Sequence, residues 1–142
     1  MTLHETLPGI DAAAGRTVVL GRQDVEALLP MDECIDVMAA ALATLARGDV
    51  ILPLRPMIRL PDSPNLFALM PAYLGEPRTV GVKVLTVFPV NHGTPIDAHQ
   101  GAVLLFEAEH GRLLAVLDAT SVTAIRTAAV SAVATASWAS WV

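Results

Sequence analysis

Apolar residues recur at helical spacing in the first third of the chain and at strand spacing in the middle. The spacing predicts helices over 23–29 and 31–47, the second with an apolar face that comprises Ile35, Met38, Leu42 and Leu45. Strands are predicted over 17–20, 54–60, 66–70, 80–88, 102–107 and 113–117. A last helix is predicted over 120–138. This order favours an α+β fold, a mostly antiparallel sheet packed with helices, over a doubly wound fold.

Glycine, proline and capping residues mark where these elements end. Gly48 follows the second helix as a C-terminal glycine, and both Asp118 and Thr120 suit the N-cap of the last helix. Residues 108–112 have the length of a hairpin loop, with Gly111 free to adopt positive φ. Pro53 and Pro56 predict that the strand over 54–60 lies at a sheet edge.

The composition predicts more apolar surface than one small domain can bury. Of 142 residues, 54% are hydrophobic and 16% are charged, so we expect an oligomer or a missing piece of polypeptide. The pattern divides the chain into a leader, 1–16, and one domain, 17–142. The net charge of −5 without a basic stripe argues against nucleic acid. The segment 119–142 is too poor in Leu, Ile and Phe for a membrane span.

The remaining composition points to a cytoplasmic protein without a metal. Cys34 is the single cysteine, and the N-terminus lacks an apolar signal core, which fits a reducing compartment. His92 and His99 lack a tight ligand spacing, so a metal site is not expected. No glycine-rich phosphate loop occurs.

Lys83 is the only lysine in the chain and stands inside the predicted strand 80–88. Strand side chains alternate, so Lys83 shares its face with Gly81, Leu85 and Val87. A charge there requires an anion or a water-filled cleft. A lysine that snorkels to solvent is an equally good interpretation of the spacing.

Arginines supply the other candidate cations. Arg126 is the only charge after Asp118, on a helix face of small residues, where it suits either a ligand carboxylate or an interface ion pair. Arg55 lies between two prolines in a rigid local frame, whereas Arg59 reads as surface charge. The loop that ends at His99 and Gln100 joins two strands, a usual place for a site.

Six ordered segments together resemble the ornithine cyclodeaminase/mu-crystallin family. They are PLR at 53–55, LMPAY at 69–73, GVKVLTVF at 81–88, HQGAVLLF at 99–106, LAVLDAT at 114–120 and TAIRTAA at 123–129. The resemblance covers about 17–136. It implies an α+β domain followed by a Rossmann domain that binds NAD or NADP, with the substrate between the two domains.

The resemblance also assigns roles to particular residues. It implies that Arg55, Lys83 and Arg126 hold the carboxylate of an amino or imino acid, and that Met70, His99 and Gln100 contact the substrate. Thr127 is implied as a contact to the cofactor phosphate. A second copy of the domain is the implied partner, in a homodimer.

Two departures from the family pattern shape the functional hypothesis. The chain ends at Val142, before the glycine-rich cofactor strand, so we expect a chain truncated before its cofactor domain, with no catalytic residue and no activity alone. Ornithine cyclodeaminases place a glutamate two residues before Met-Pro, where this chain has Ala68.

The favoured hypothesis is therefore the substrate-binding half of an NAD(P)-dependent reductase of cyclic imino acids, of the ketimine or pyrroline-2-carboxylate type. Alternatives are an ornithine cyclodeaminase, which converts ornithine to proline and ammonia, or an alanine-dehydrogenase-like enzyme. Two further alternatives are a non-catalytic dimeric binding module or inactive fragment, and a split enzyme with its cofactor domain on another chain.

Overall fold

The computed structural model describes residues 16–139, so the predicted leader lies, apart from Arg16, outside the described residues. The strands are β1 Val18–Leu20, β2 Val50–Ile51, β3 Met57–Arg59, β4 Leu66–Leu74, β5 Thr79–Val87, β6 His99–Glu107 and β7 Leu113–Asp118. The helices are α1 Arg22–Leu28, α2 Met31–Arg47 and α3 Ala119–Ala139, with a short 3-10 turn at Pro89–Asn91.

The seven strands form one sheet in the order β1-β7-β6-β5-β4-β2, and β3 also pairs with β4. Strands β4 to β7 form an antiparallel meander, whereas β1 runs parallel to β7. The predicted α+β class and mostly antiparallel sheet are confirmed, and the parallel β1 makes the sheet mixed.

The described helices lie on one side of this sheet. The Lys83 Nζ on β5 donates to Thr123 Oγ1 on α3, which fixes the face that α3 covers. Helices α1 and α2 pack against α3 in turn. The opposite sheet face, the open face, presents Leu69, Pro71, Val82, Val84 and Leu104 by the register of β4, β5 and β6. No described helix covers it.

The prediction of a strand over 54–60 was wrong in extent. Only Met57–Arg59 pairs, and the unpredicted β2 precedes it. Pro53 and Pro56 interrupt strand pairing between β2 and β3, because proline has no N–H to donate. The predicted edge position of the segment is confirmed, since β3 pairs with β4 alone.

Strand β4 continues past the predicted end at Met70 and includes Pro71. The Leu69 N–H points outward, to the Pro56 carbonyl at 3.0 Å, and position 71 points the same way along the strand. Its outward neighbours β3 and β2 pair only with 66–68 and 73–74. Pro71 therefore costs the β4–β5 ladder no hydrogen bond.

The packed side of α2 differs from the predicted apolar face. Cys34 and Thr44 are buried and Ile35 and Met38 are half-buried, but Leu42 and Leu45 are exposed. Helix α2 packs on α3, whose Ala, Ser and Thr side chains allow close approach. The surface of α2 that contacts α3, its contact strip, is therefore formed by small residues. Leu42 and Leu45 lie beside this strip.

The expected caps are present at the C-terminus of α2 and at the N-terminus of α3. Gly48 ends α2 in the left-handed conformation at φ 84°. At α3, Asp118 is the N-cap, since its carboxylate accepts from the Ser121 N–H at 2.8 Å and the Ser121 hydroxyl at 2.6 Å. Thr120 instead donates its hydroxyl to the His99 carbonyl at 3.0 Å.

Glu107 organises the β6–β7 hairpin. Its carboxylate accepts from the backbone N–H groups of Arg112 at 3.1 Å, His110 at 2.9 Å and Glu109 at 2.7 Å. These bonds, the Arg112 one first, lower the pKa of Glu107 from 4.5 to about 2.

We expect Glu107→Gln to destabilise the chain at pH 7, because a neutral amide accepts these bonds more weakly. The ionised carboxylate contributes above its unfolded pKa of 4.5 and loses that contribution as the pH falls toward about 2. Urea unfolding at pH 7, 5 and 3 should show a deficit that shrinks only at pH 3. Glu109→Gln, on the same turn, is the control, and a deficit that does not depend on pH would contradict the assignment.

Gly101→Ala should destabilise the sheet by about 1–3 kcal/mol, as overpacking does. A Cβ on Gly101 would collide with the Val84 carbonyl oxygen and lie 2.8 Å from the Leu85 Cα, both backbone atoms that cannot rotate away. Gly81→Ala is the matched control, since its Cβ meets nothing closer than the Leu104 carbonyl at 3.5 Å. Equal unfolding midpoints for the two variants would refute this prediction.

Candidate functional site

A small recess lies where β5 and β6 meet the first turns of α3. Its lining residues are Lys83, Leu85, His99, Gln100, Ala119, Thr120 and Thr123. The enclosed volume is about 30 Å³, room for a water molecule or the edge of a carboxylate, so a larger ligand would extend out of it.

Lys83 is half-buried at the recess, and its Nζ donates to Thr123 Oγ1 at 3.1 Å. Burial lowers the pKa of Lys83 from its usual value, and the charges of Arg126 and then Arg55 lower it further. Arg126 on α3 and Arg55, which is exposed in the segment before β3, therefore each lie close enough to Lys83 to repel its charge. We call Arg55, Lys83 and Arg126 the cation cluster.

No acid among residues 16–139 forms an ion pair with the cation cluster. The ion pairs of the described chain lie elsewhere, at Arg22–Asp97, Arg47–Asp49, and from Glu107 to His110 and Arg112. Grouped cations without a counter-charge form a site that an anion would stabilise. This arrangement favours the pocket interpretation of Lys83 over the snorkelling one, because its tip bonds a helix hydroxyl.

The other predicted substrate residues lie beside the cluster. Met70 is the β4 partner of Lys83 in the sheet register, and His99 and Gln100 line the recess. The Gln100 amide donates to the Asp97 carbonyl at 3.1 Å. The fold therefore brings together all six residues predicted to contact substrate, and their roles stay predictions.

Thr127 lies outside the recess, exposed, one turn of α3 beyond Thr123. Its hydroxyl donates to the Thr123 carbonyl at 2.6 Å. A hydroxyl hydrogen rotates readily, so Thr127 remains free to donate to a phosphate oxygen instead. The residue fits the predicted cofactor contact, which the structure leaves as a prediction.

Sequence reasoning missed two features of the site. Thr123 stands in the family motif but has no charge or unusual context to distinguish it from other helix threonines. The Arg22–Asp97 ion pair, which ties α1 to the loop before His99, joins residues 75 positions apart. A single sequence gives no signal for such a pair.

A second, larger cleft lies on the open face, away from the cation cluster. It measures about 610 Å³, and its lining includes Tyr73, Arg78, Val80, Phe106 and Glu107. Within residues 16–139 no three His, Cys, Asp or Glu side chains are grouped to hold a metal ion. None of the helices described has the length and apolar character to cross a membrane.

The chain belongs to the ornithine cyclodeaminase/mu-crystallin family, whose model matches residues 16–140. The mouse ketimine reductase mu-crystallin is 38% identical over 97 residues, which are 66% of this chain and 31% of that protein. The family predicted from the motifs is thus confirmed.

Solved structures agree with this assignment. The Thermococcus litoralis Δ1-pyrroline-2-carboxylate reductase, in complex with NADH and L-proline, has a TM-score of 0.76 and 31% identity over 81% of this chain. An archaeal alanine dehydrogenase dimer with bound NAD has a TM-score of 0.72 and 29% identity over 80% of this chain. The chain covers 36% and 34% of these proteins, about a third of each.

We expect Lys83→Met to make the unliganded chain more stable at pH 7, because it removes a desolvated charge that two arginines repel. The folded pKa of Lys83 lies below the unfolded value of 10.5, so the penalty is present at neutral pH and disappears as the pH rises toward 10.5.

Thermal unfolding at pH 7 and pH 9.5 measures this effect. The advantage of Lys83→Met over the natural chain should be smaller at pH 9.5. Arg59→Met is the control, since Arg59 is exposed and is not among the charges that act on Lys83. A Lys83→Met chain less stable than the natural one at pH 7 would contradict the prediction.

Proposed function

We propose that this chain is the substrate-binding part of an NAD(P)-dependent imino-acid reductase, of the ketimine or Δ1-pyrroline-2-carboxylate type. The observation that carries the proposal is the cation cluster, in which Arg126 and Arg55 both act on Lys83 and none of the three forms an ion pair with a described carboxylate. The similarity to reductases of that class supports the substrate type.

The three cations differ in what they offer a carboxylate. Arg55 and Arg126 each present a planar fork that binds two oxygens in parallel, whereas Lys83 presents a compact ammonium. Together they would fix the carboxylate, and with it the orientation of the attached imine carbon. A bound NAD(P)H would supply the hydride, and Thr127 is the described residue that would contact its phosphate.

Ala68 favours the reductase over a cyclodeaminase. It is 5% exposed in β4, and its register partners are Leu85 on β5 and Met57 on β3. An apolar position there offers no acid to a side-chain amine such as that of ornithine. A ligand whose polar groups are its carboxylate and imine requires none.

The open face supports a homodimer. It is an apolar surface on β4, β5 and β6, and Val80 at its end is 41% exposed. Apolar patches of this kind mark interaction surfaces in soluble proteins. A second copy is the proposed occupant, as the archaeal alanine dehydrogenase dimer suggests.

Leu104→Lys should convert a dimer of this chain to a monomer, because two buried lysines would meet at the proposed interface. Sedimentation velocity measures the change, with Gln23→Lys on exposed α1 as the charge-matched control. A natural chain that sediments as a monomer, or a Leu104→Lys chain that stays dimeric, would contradict the open face as the interface.

L-Proline, a cyclic amino acid with the proposed carboxylate, should bind the chain, and Arg55→Met should weaken this binding about tenfold or more, the value of one charge-assisted hydrogen bond. Arg59→Met is the matched control, four residues along the same segment, and should change the affinity less than about twofold. Titration calorimetry provides the measurement. Equal losses in both variants would refute a specific role for Arg55.

A further inference from the structure

We propose that Thr123 is a positioning residue of this site, whose hydroxyl holds the Lys83 ammonium toward the recess in place of a counter-charge. The identity of the ligand, a carboxylate, rests on the proposed function. The contact between Thr123 and Lys83 does not, since it is read from the structure. The Nζ–Oγ1 distance of 3.1 Å is that of a hydrogen bond, and both residues line the recess.

The charges around Lys83 show why this hydroxyl matters. Arg126 faces the ammonium from α3 and Arg55 from the segment before β3, while His99 of β6 lines the same recess. From β4, Met70 contributes no charge. In the described chain, Thr123 Oγ1 is the one side-chain acceptor bonded to Nζ. An ammonium has three donors, so two remain for a ligand.

The position of Thr123 is rigidly set by the start of α3. Asp118 caps the helix through Ser121, and Thr120 ties it to the His99 carbonyl on β6. Thr123 follows within one turn of these anchors, and Arg126 comes three residues later on the same helix. One fixed helix end therefore places both the Lys83 acceptor and the second cation of the cluster.

Two variants distinguish the effect of the Thr123 hydroxyl from the effect of the side-chain shape. Thr123→Val keeps the branched shape and removes the acceptor, whereas Thr123→Ser keeps the acceptor and removes a methyl group. A purely structural role would make Ser and Val comparably disruptive. A positioning role predicts that Ser behaves like the natural residue and Val does not.

The single lysine of the chain makes a direct readout possible. Incorporation of ¹³C-lysine gives one side-chain Cε signal, and its pH titration reports the pKa of Lys83 alone. We expect Thr123→Val to lower that pKa further, because the charged form loses its hydrogen bond, and Thr123→Ser to leave it at the natural value.

The affinity for L-proline, measured across pH 7 to 10, tests the consequence for the ligand. Thr123→Val should weaken binding about tenfold at pH 7, and the loss of binding on the alkaline side should begin at lower pH. Thr123→Ser should stay within about twofold of the natural chain.

The outcomes distinguish the inference from the proposed function. An unchanged Lys83 titration in Thr123→Val would overturn the positioning role, whatever the affinities. A shifted titration in a chain that binds no L-proline would support the Thr123–Lys83 contact and refute the carboxylate ligand. A Thr123→Ser chain as impaired as Thr123→Val would also overturn the role of the hydroxyl.

Discussion

The positive charge of the half-buried Lys83, which Arg126 and Arg55 repel, is the constraint on which the rest of the site depends. Like charges at close range separate unless the framework that carries them is stiff. Lys83 lies on β5, which β4 and β6 hold along its whole length, and Arg126 lies on a helix whose first turn is capped and tied to the sheet. The sheet and α3 thus hold Lys83 and Arg126 near one another, and the proposed carboxylate would relieve their repulsion.

Much of this fold follows from local sequence patterns, and the failures have physical causes. The meander, the hairpin at Gly111 and the limits of α2 depend on spacing, turn residues and caps within a few positions. The strand over 54–60 was mispredicted because two prolines prevented ladder bonds that its apolar residues favoured. The contact strip of α2 was misjudged because the small side chains of its partner α3, distant in sequence, decide which residues become buried.

The site shows the same division between local and long-range information. Lys83 and Arg126 are candidates because a charge in an apolar segment is unusual, and Arg55 because two prolines frame it, but their predicted substrate role comes from the resemblance to the family. Thr123 was missed, since a threonine in a helix acquires its role only from the lysine that the fold places beside it. Nor does a single sequence reveal that Arg22 would meet Asp97. Contacts between segments that are distant in sequence could be identified only from the structure.

The parallel pairing of β1 with β7 has a consequence for the order of folding. Val18 lies opposite Ala115, and the Thr17 hydroxyl donates to the Leu113 carbonyl at 3.1 Å, so β1, the first strand described, pairs with β7, the last one described. During synthesis, β4, β5 and β6 emerge in succession and pair with near neighbours, while β1 has no strand partner until β7 leaves the ribosome. The nascent chain therefore carries β1 unpaired until β7 has been synthesised. Closure of that sheet edge therefore comes late in the assembly of residues 16–139.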